Sequence, residues 1–241
     1  MIRILSTSIF VLASSLALCS CTNDYSCAGG TNGSADNGVS QTTVTSMATV
    51  AIANGGYVLI PDAIDGVTAY ALANPVLLTE KKLNTPGQRL LAEYRGAGDG
   101  AVLVMRLREV LTKDLTNGQF PTNDAGQGSD DVYIQRAWLG GGYLNVIYRI
   151  YYSSTDAKHT LDARLLDKPD SAGRPVVEIC HHANGDGHDR ISAAAYASFR
   201  LNGPTAKASS VRVNYVWNDG SAQKSVVATQ QGRLQKGDIF F

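Results

Sequence analysis

The chain has 241 residues, of which 44% are hydrophobic and 17% charged, with Lys+Arg and Asp+Glu numbering 21 each. A balanced charge with no basic stripe gives no electrostatic footprint for nucleic acid, so no nucleic-acid partner is expected. The length allows one large or two small domains.

The first 21 residues read as a targeting segment. Arg3 supplies a positive start, and Ile4 to Leu18 is an apolar run broken only by small hydroxyl residues. At about 15 residues it is short of the roughly 20 needed to span a bilayer as a helix, which favours a cleaved signal. Leu18-Cys19-Ser20-Cys21 has the order of a bacterial lipobox: a large aliphatic residue, a small one before the cut, then the cysteine that takes the lipid. Cys21 fits better than Cys19, which would place Leu18 at the cut. Residues 1–20 are therefore expected to be signal peptide, with lipidated Cys21 tethering the mature chain to a membrane. Thr22 follows the cysteine where an inner-membrane retention signal would have Asp, so the outer membrane is the expected location. Residues 21–43 are Gly, Ser, Asn, Asp and Thr with almost no large apolar side chain, the composition of a flexible tether. Cys27 and Cys180 could pair in an oxidising envelope.

From Val44 the pattern becomes β. Val44 to Ile52 and Tyr57 to Ile60 flank Asn54-Gly55-Gly56, a hairpin signal. Gln88 to Tyr94 is a further strand. Ala101 to Leu111 alternates, with Leu103, Met105 and Leu107 on one side and Arg106 and Arg108 on the other. Gly96-Ala97-Gly98-Asp99-Gly100 reads as a hairpin turn, because a strand and not a helix follows it. Residues 116–130 form a polar break that reads as a domain boundary. Then come Val132 to Leu139, a Gly140-Gly141-Gly142 turn, and Tyr143 to Tyr152. That last strand sets Leu144, Val146, Tyr148 and Ile150 against Tyr143, Asn145, Ile147, Arg149 and Tyr151. His159 to Leu166, Val176 to His181, Ala193 to Leu201, Val211 to Trp217 and Gln223 to Thr229 follow. A short helix is expected near Ile191 to Ala197. Short strands separated by Gly/Asn/Asp turns argue a β-sandwich for this second block.

Several motifs resemble the NigD-like lipoproteins of gut and oral anaerobes. They are Val110-Leu111-Thr112-Lys113-Asp114, Ala137-Trp138, Tyr143-Leu144-Asn145-Val146 with Arg149, Glu178 to Asn184, and Ser198-Phe199-Arg200-Leu201. The likeness runs over roughly residues 44–230. It implies an all-β chain: an N-terminal OB-like barrel over 44–115, then a C-terminal β-sandwich over 130–241. It also implies an immunity-like role, since the family takes its name from a bacteriocin locus. Cys180-His181-His182 departs from the family's Arg-His, and the tether lacks the acidic run of surface-exported relatives.

Candidate chemistry is sparse. His181, His182, His188, Asp186 and Asp189 lie within nine residues, but neighbours on a strand point to opposite faces, so His181 and His182 are not expected to share a metal. Cys180 beside His181 diverges for the same reason and reads as a core thiol. No GxSxG, SxxK or HExxH occurs. No catalytic, cofactor or metal residue is expected. Tyr148, Tyr151, Tyr152 and Trp138 could line a sugar-binding face. The expected function is that of a non-enzymatic binding module meeting an envelope protein or glycan; the alternative is a glycan-binding accessory of an envelope uptake system.

Overall fold

Asn54 and Gly55 hold φ angles of 51° and 78°, the left-handed pair that a two-residue hairpin turn demands. They join β1 (Val44–Ala53) to β2 (Gly56–Pro61), with Ala53 opposite Gly56. The computed structural model describes residues 43–62, 69–118, 128–217, 223–231, 234 and 239–241. The expected signal peptide, Cys21 and, apart from Thr43, the expected tether lie outside the described residues.

β3 (Tyr70–Leu72), β4 (Arg89–Gly98) and β5 (Ala101–Glu109) complete a closed barrel in the order β1-β2-β3-β5-β4. β3 runs parallel to β5, and a short helix α1 (Val76–Glu80) sits between β3 and β4. This is the OB-like barrel. Its interior is Ala48, Val50, Leu59, Leu78, Leu90, Ala92, Tyr94, Val102 and Val104. The expected apolar face of β5 is corrected here. Glu93 opposes Arg106 and Tyr94 opposes Val104, so Met105 is an extra, bulged residue. The bulge reverses the alternation: Val102 and Val104 fill the barrel before it, Leu107 packs on the barrel core after it, and Met105 is exposed.

The sandwich begins earlier than the sequence indicated. β6 (Leu111–Asp114) pairs in parallel with β13 (Ala195–Arg200), and β7 (Thr116–Asn117) pairs in parallel with β10 (Thr160–Leu165). One short stretch thus crosses from one sandwich sheet to the other, which puts the junction at Val110. The polar break at 116–130 is consequently not the domain boundary, since Leu111–Asp114 and Thr116–Asn117 already belong to the sandwich sheets. One sheet holds β6, β13, β9 (Tyr143–Tyr152) and β8 (Val132–Gly140), with β12 (Arg190–Ile191) on the end of β9. The other runs β15-β14-β11-β10-β7, with β11 (Val176–His182), β14 (Ser210–Val216) and β15 (Gln223–Thr229). Residues 191–197 are not helical: Ala195–Arg200 is a central strand whose backbone is committed to β9 on one side and β6 on the other. Leu139, Leu144, Val146, Ala197, Phe199, Val211 and Val213 are fully buried between the sheets.

The sheet's other face is also buried. Trp138, Ile147 and Tyr196 meet Met47, Leu91 and Val110 in a separate apolar cluster. β1 and β4 therefore bury both faces, Ala48 and Leu90 inside the barrel and Met47 and Leu91 against the sandwich. Continuous burial of this kind joins barrel and sandwich through a hydrophobic core, not a polar domain contact.

Candidate functional site

Within that apolar junction lies a buried ion pair. Arg89, on β4, is fully buried. Its Nη1 donates to Asp62 Oδ1 at 2.6 Å and Thr49 Oγ1 at 2.9 Å, and its Nη2 donates to Asp62 Oδ2 at 2.5 Å and Asn145 Oδ1 at 3.1 Å. Asn145 also accepts from Ser198 Oγ at 2.7 Å, and the guanidinium lies 4.6 Å from the Tyr143 ring centroid. Barrel and sandwich each supply polar groups to this bidentate pair, which fixes their register. Gly141, at φ 60°, passes so close that an added Cβ would stand 2.1 Å from Asp62 Oδ1. The sequence reading singled out Asn145 as a motif residue but missed Asp62 and Arg89, which lie far apart in the chain.

The histidine-rich segment is built differently from its sequence. His181 is buried and His182 half-buried, as opposite sides of a strand require. The partner of His181 is His159, just before β10, with Nδ1 2.9 Å from His181 Nε2. His159 Nε2 lies 3.1 Å from Asp186 Oδ2. Asp186 is turned back by Asn184 and Gly185 and accepts from the Ser153 and Ser154 backbone N–H groups. Those bonds hold its carboxyl down at about 2. Burial, then His159, push His181 down to about 4, so its ring is neutral at pH 7. His181 Nδ1 is 2.8 Å from the Asp131 carbonyl, which only accepts, so the proton sits on Nδ1 and Nε2 is a bare acceptor. The chain closes when His159 Nδ1 donates to His181 Nε2. It begins on a carboxylate that caps a loop and ends on a backbone carbonyl, so it clasps loops together and presents no nucleophile. Among the described residues no group of three or more His, Cys, Asp or Glu is placed to hold a metal ion. Cys180 is a buried free thiol, and burial raises it to about 12, far from a thiolate nucleophile.

The aromatic residues separate. Trp138 is buried at the domain junction and Tyr148 packs on the sandwich core. Tyr148 is half-buried there, and the two do not share a face. Tyr152 lies beneath Arg190, at 4.9 Å. Tyr151 stacks on Trp217, with centroids 4.9 Å apart and planes at 2°, and on His188 at 5.4 Å. Tyr133 joins Trp217 at 5.2 Å. Tyr133, Tyr151, Trp217 and His188 thus form an aromatic ladder on the outer side of the sandwich. Sequence alternation had isolated Tyr151; Trp217 reaches it from the other sheet.

A second surface lies on the barrel. The β1–β2 turn, β3 and α1 enclose a groove of about 530 Å³ lined by Ala53, Val58, Leu72, Pro75 and Val76 among others. Val76 is 61% exposed and the neighbouring Ile52 58%.

These features define a class, an OB-like barrel fixed to a β-sandwich through a shared core. Residues 115–229 match the NigD-like C-terminal beta sandwich domain, which supports the likeness to the NigD-like family over that part of the chain. A solved NigD-like immunity protein from Bacteroides caccae is 20% identical, with a TM-score of 0.52 over 78% of this chain and 92% of its own. A protein from Parabacteroides distasonis designated toxin-related is 23% identical, with a TM-score of 0.58 over 79% and 96%. One from Bacteroides fragilis designated a lipoprotein is 8% identical, with a TM-score of 0.53 over 79% and 99%. At these identities the likeness is one of fold. No curated protein matches the sequence. Among the described residues no helix is long and apolar enough to cross a membrane.

Proposed function

We propose that this protein is an outer-membrane lipoprotein, anchored through Cys21, that works without catalysis as a binding module for an envelope partner, in the manner of an immunity protein. The observation that carries this reading is the apolar groove at the barrel end, between the β1–β2 turn and α1. In OB folds the β2–β3 surface and the first hairpin loop are the usual binding region. The apolar lining and the balanced charge favour a protein surface over nucleic acid there. Fixing of the barrel to the sandwich by Arg89 and Asp62 supports the same reading, because a rigid body loses little freedom when it docks. The test is affinity capture from intact cells with the chain tagged at its C-terminal end. A partner captured by the native chain and lost with both Cys21→Ala and Val76→Asp supports the proposal. Capture that is indifferent to Val76→Asp removes the groove from it.

The aromatic ladder favours the second reading, a glycan-binding accessory, since the exposed Tyr133 ring at its end can stack on a sugar ring. Binding to a neutral or acidic glycan array, weakened by Tyr133→Ala, would favour it over the first.

A further inference from the structure

Arg108, Gln135 and Arg149 line a cleft of about 460 Å³ where β5 of the barrel meets β8 and β9 of the sandwich, together with Phe240 and Phe241. Its lining carries two guanidinium groups and no acid, in a chain whose basic and acidic residues are equal in number. Arg108 is held in place: its Nη1 donates to the Phe240 carbonyl and its Nη2 to the Ala194 carbonyl, both at 3.0 Å, and it lies 5.4 Å from the Tyr196 ring and 5.1 Å from that of Phe240. Carbonyls and ring faces stabilise a cation without neutralising it, so the charge stays available to the cleft. Arg149 makes no hydrogen bond or ion pair with a described residue, and its five donors are open. Arg106 adds a third cation nearby, over Phe241 at 5.5 Å; Glu93 is its cross-strand neighbour on β4, and Glu109 ends β5.

Arg149 also connects this cleft to the aromatic ladder. It stands directly opposite Tyr133 across the β8–β9 pair, and Tyr151 follows two residues later on the same face of β9. An open guanidinium fork flanked by tyrosine rings combines two kinds of recognition. The fork takes a planar or tetrahedral anion with two parallel hydrogen bonds. Tyr151 is stacked on Trp217 and His188, and the exposed Tyr133 ring takes the apolar C–H face of a sugar. The Gln135 amide can both donate to and accept from hydroxyls.

The geometry points to a binding site for an acidic glycan, with its carboxylate or sulfate on Arg149, in the field of Arg108, and a sugar ring against Tyr133, the exposed end of the ladder. This deepens the glycan-accessory reading and rests on it. An acidic peptide would satisfy the arginines, but the flanking ladder of ring faces has no counterpart in that chemistry.

The experiment is a titration of the full chain with a panel of oligosaccharides: oligogalacturonate, a sulfated oligogalactan, a glucuronate-containing oligomer, and carboxyl-reduced oligogalacturonate as the neutral control. Hexaglutamate is the peptide control. Expected is binding of at least one acidic sugar, weakened tenfold or more by Arg149→Ala, less by Arg149→Lys, and by raising salt from 50 mM to 500 mM, with the neutral control at least tenfold weaker. Arg149 has no partner among the described residues, so its variants are expected to melt with the native chain. Equal binding of acidic and neutral sugars, untouched by Arg149→Ala, overturns the acidic assignment and leaves the glycan reading standing. Binding of hexaglutamate as tightly as any sugar also overturns it. No binding to any sugar overturns both.

Discussion

Arg89 and Arg149 lie on the same barrel–sandwich boundary and have opposite surroundings. Arg89 is fully buried, paired bidentately with Asp62 and bonded to Thr49 and Asn145. Arg149 is half-buried at the mouth of a cleft, with no partner among the described residues. A buried charge without a counter-ion would cost several kcal/mol, so Arg89 can only be structural. A charge at an open edge costs little when unpaired, so Arg149 is free to meet a ligand. The same residue type holds the domains together at one point and is left available at another.

The comparison breaks most sharply at its buried end. Arg89→Ala strands the Asp62 carboxylate, and a loss of about 3–5 kcal/mol is expected in urea unfolding. Adding Asp62→Leu to Arg89→Met should recover at least half of that loss, because the desolvation penalty is then removed as well. A single-variant loss below about 1 kcal/mol would show that the pair does not fix the junction. Trp138→Ala empties the apolar part of the same boundary, and about 3–5 kcal/mol is expected there too. Equal losses from a site on the outer side of the sheet and from Phe199→Ala in the sandwich core would establish that the junction is a true core.

Smaller effects sharpen the picture. Gly141→Ala places a methyl group against Asp62 at a left-handed φ, and about 1–3 kcal/mol is expected, read as a fall in melting temperature. Acid should act through the clasp. His181 is held down to about 4 from an ordinary 6.5, so the unfolded chain binds its proton first. The stability His181 contributes is present above pH 6.5 and is lost as pH falls from 6.5 toward 4. Asp186, held down to about 2, adds a further loss only below pH 3.8. Thermal melts between pH 7 and pH 4 should show the first slope, and His181→Leu should flatten it while lowering the melting temperature at pH 7. An unchanged slope in that variant would assign the acid sensitivity to other groups. Arg149→Ala should lie within about 0.5 kcal/mol of the native chain, the smallest effect of the series. A loss comparable to that of Arg89→Ala would mean that Arg149 is structural after all.

Legibility followed the range of the interactions. Hairpin turns were readable because their φ demands fall on one or two residues: Asn54-Gly55 and Gly141-Gly142 both close two-residue loops. Alternation showed which residues of β9 share a face. It could not show that both faces are covered, because Asn145 and Ile147 meet residues of β1 and β4 about a hundred or fewer positions away. The bulge at Met105 was invisible for a similar reason, since an extra residue is defined only against the partner strand. Tyr148, Tyr151, Tyr152 and Trp138 were wrongly grouped as one face, because Trp217 arrives from the opposite sheet to stack on Tyr151. Of the residues put forward as chemistry, His181 and Asp186 do meet, through a histidine that the dense segment does not contain.

The sequence by itself determined an all-β chain of two blocks, the local turns, the faces of most strands and a family resemblance, because period-two patterning and turn chemistry act over a few residues. Only the tertiary structure decided where the first block ends, that its barrel closes against the sandwich through Met47, Trp138 and Ile147, and which arginine is paired. Those outcomes depend on contacts between segments distant in sequence, where burial removes water from one charge and leaves another exposed to it.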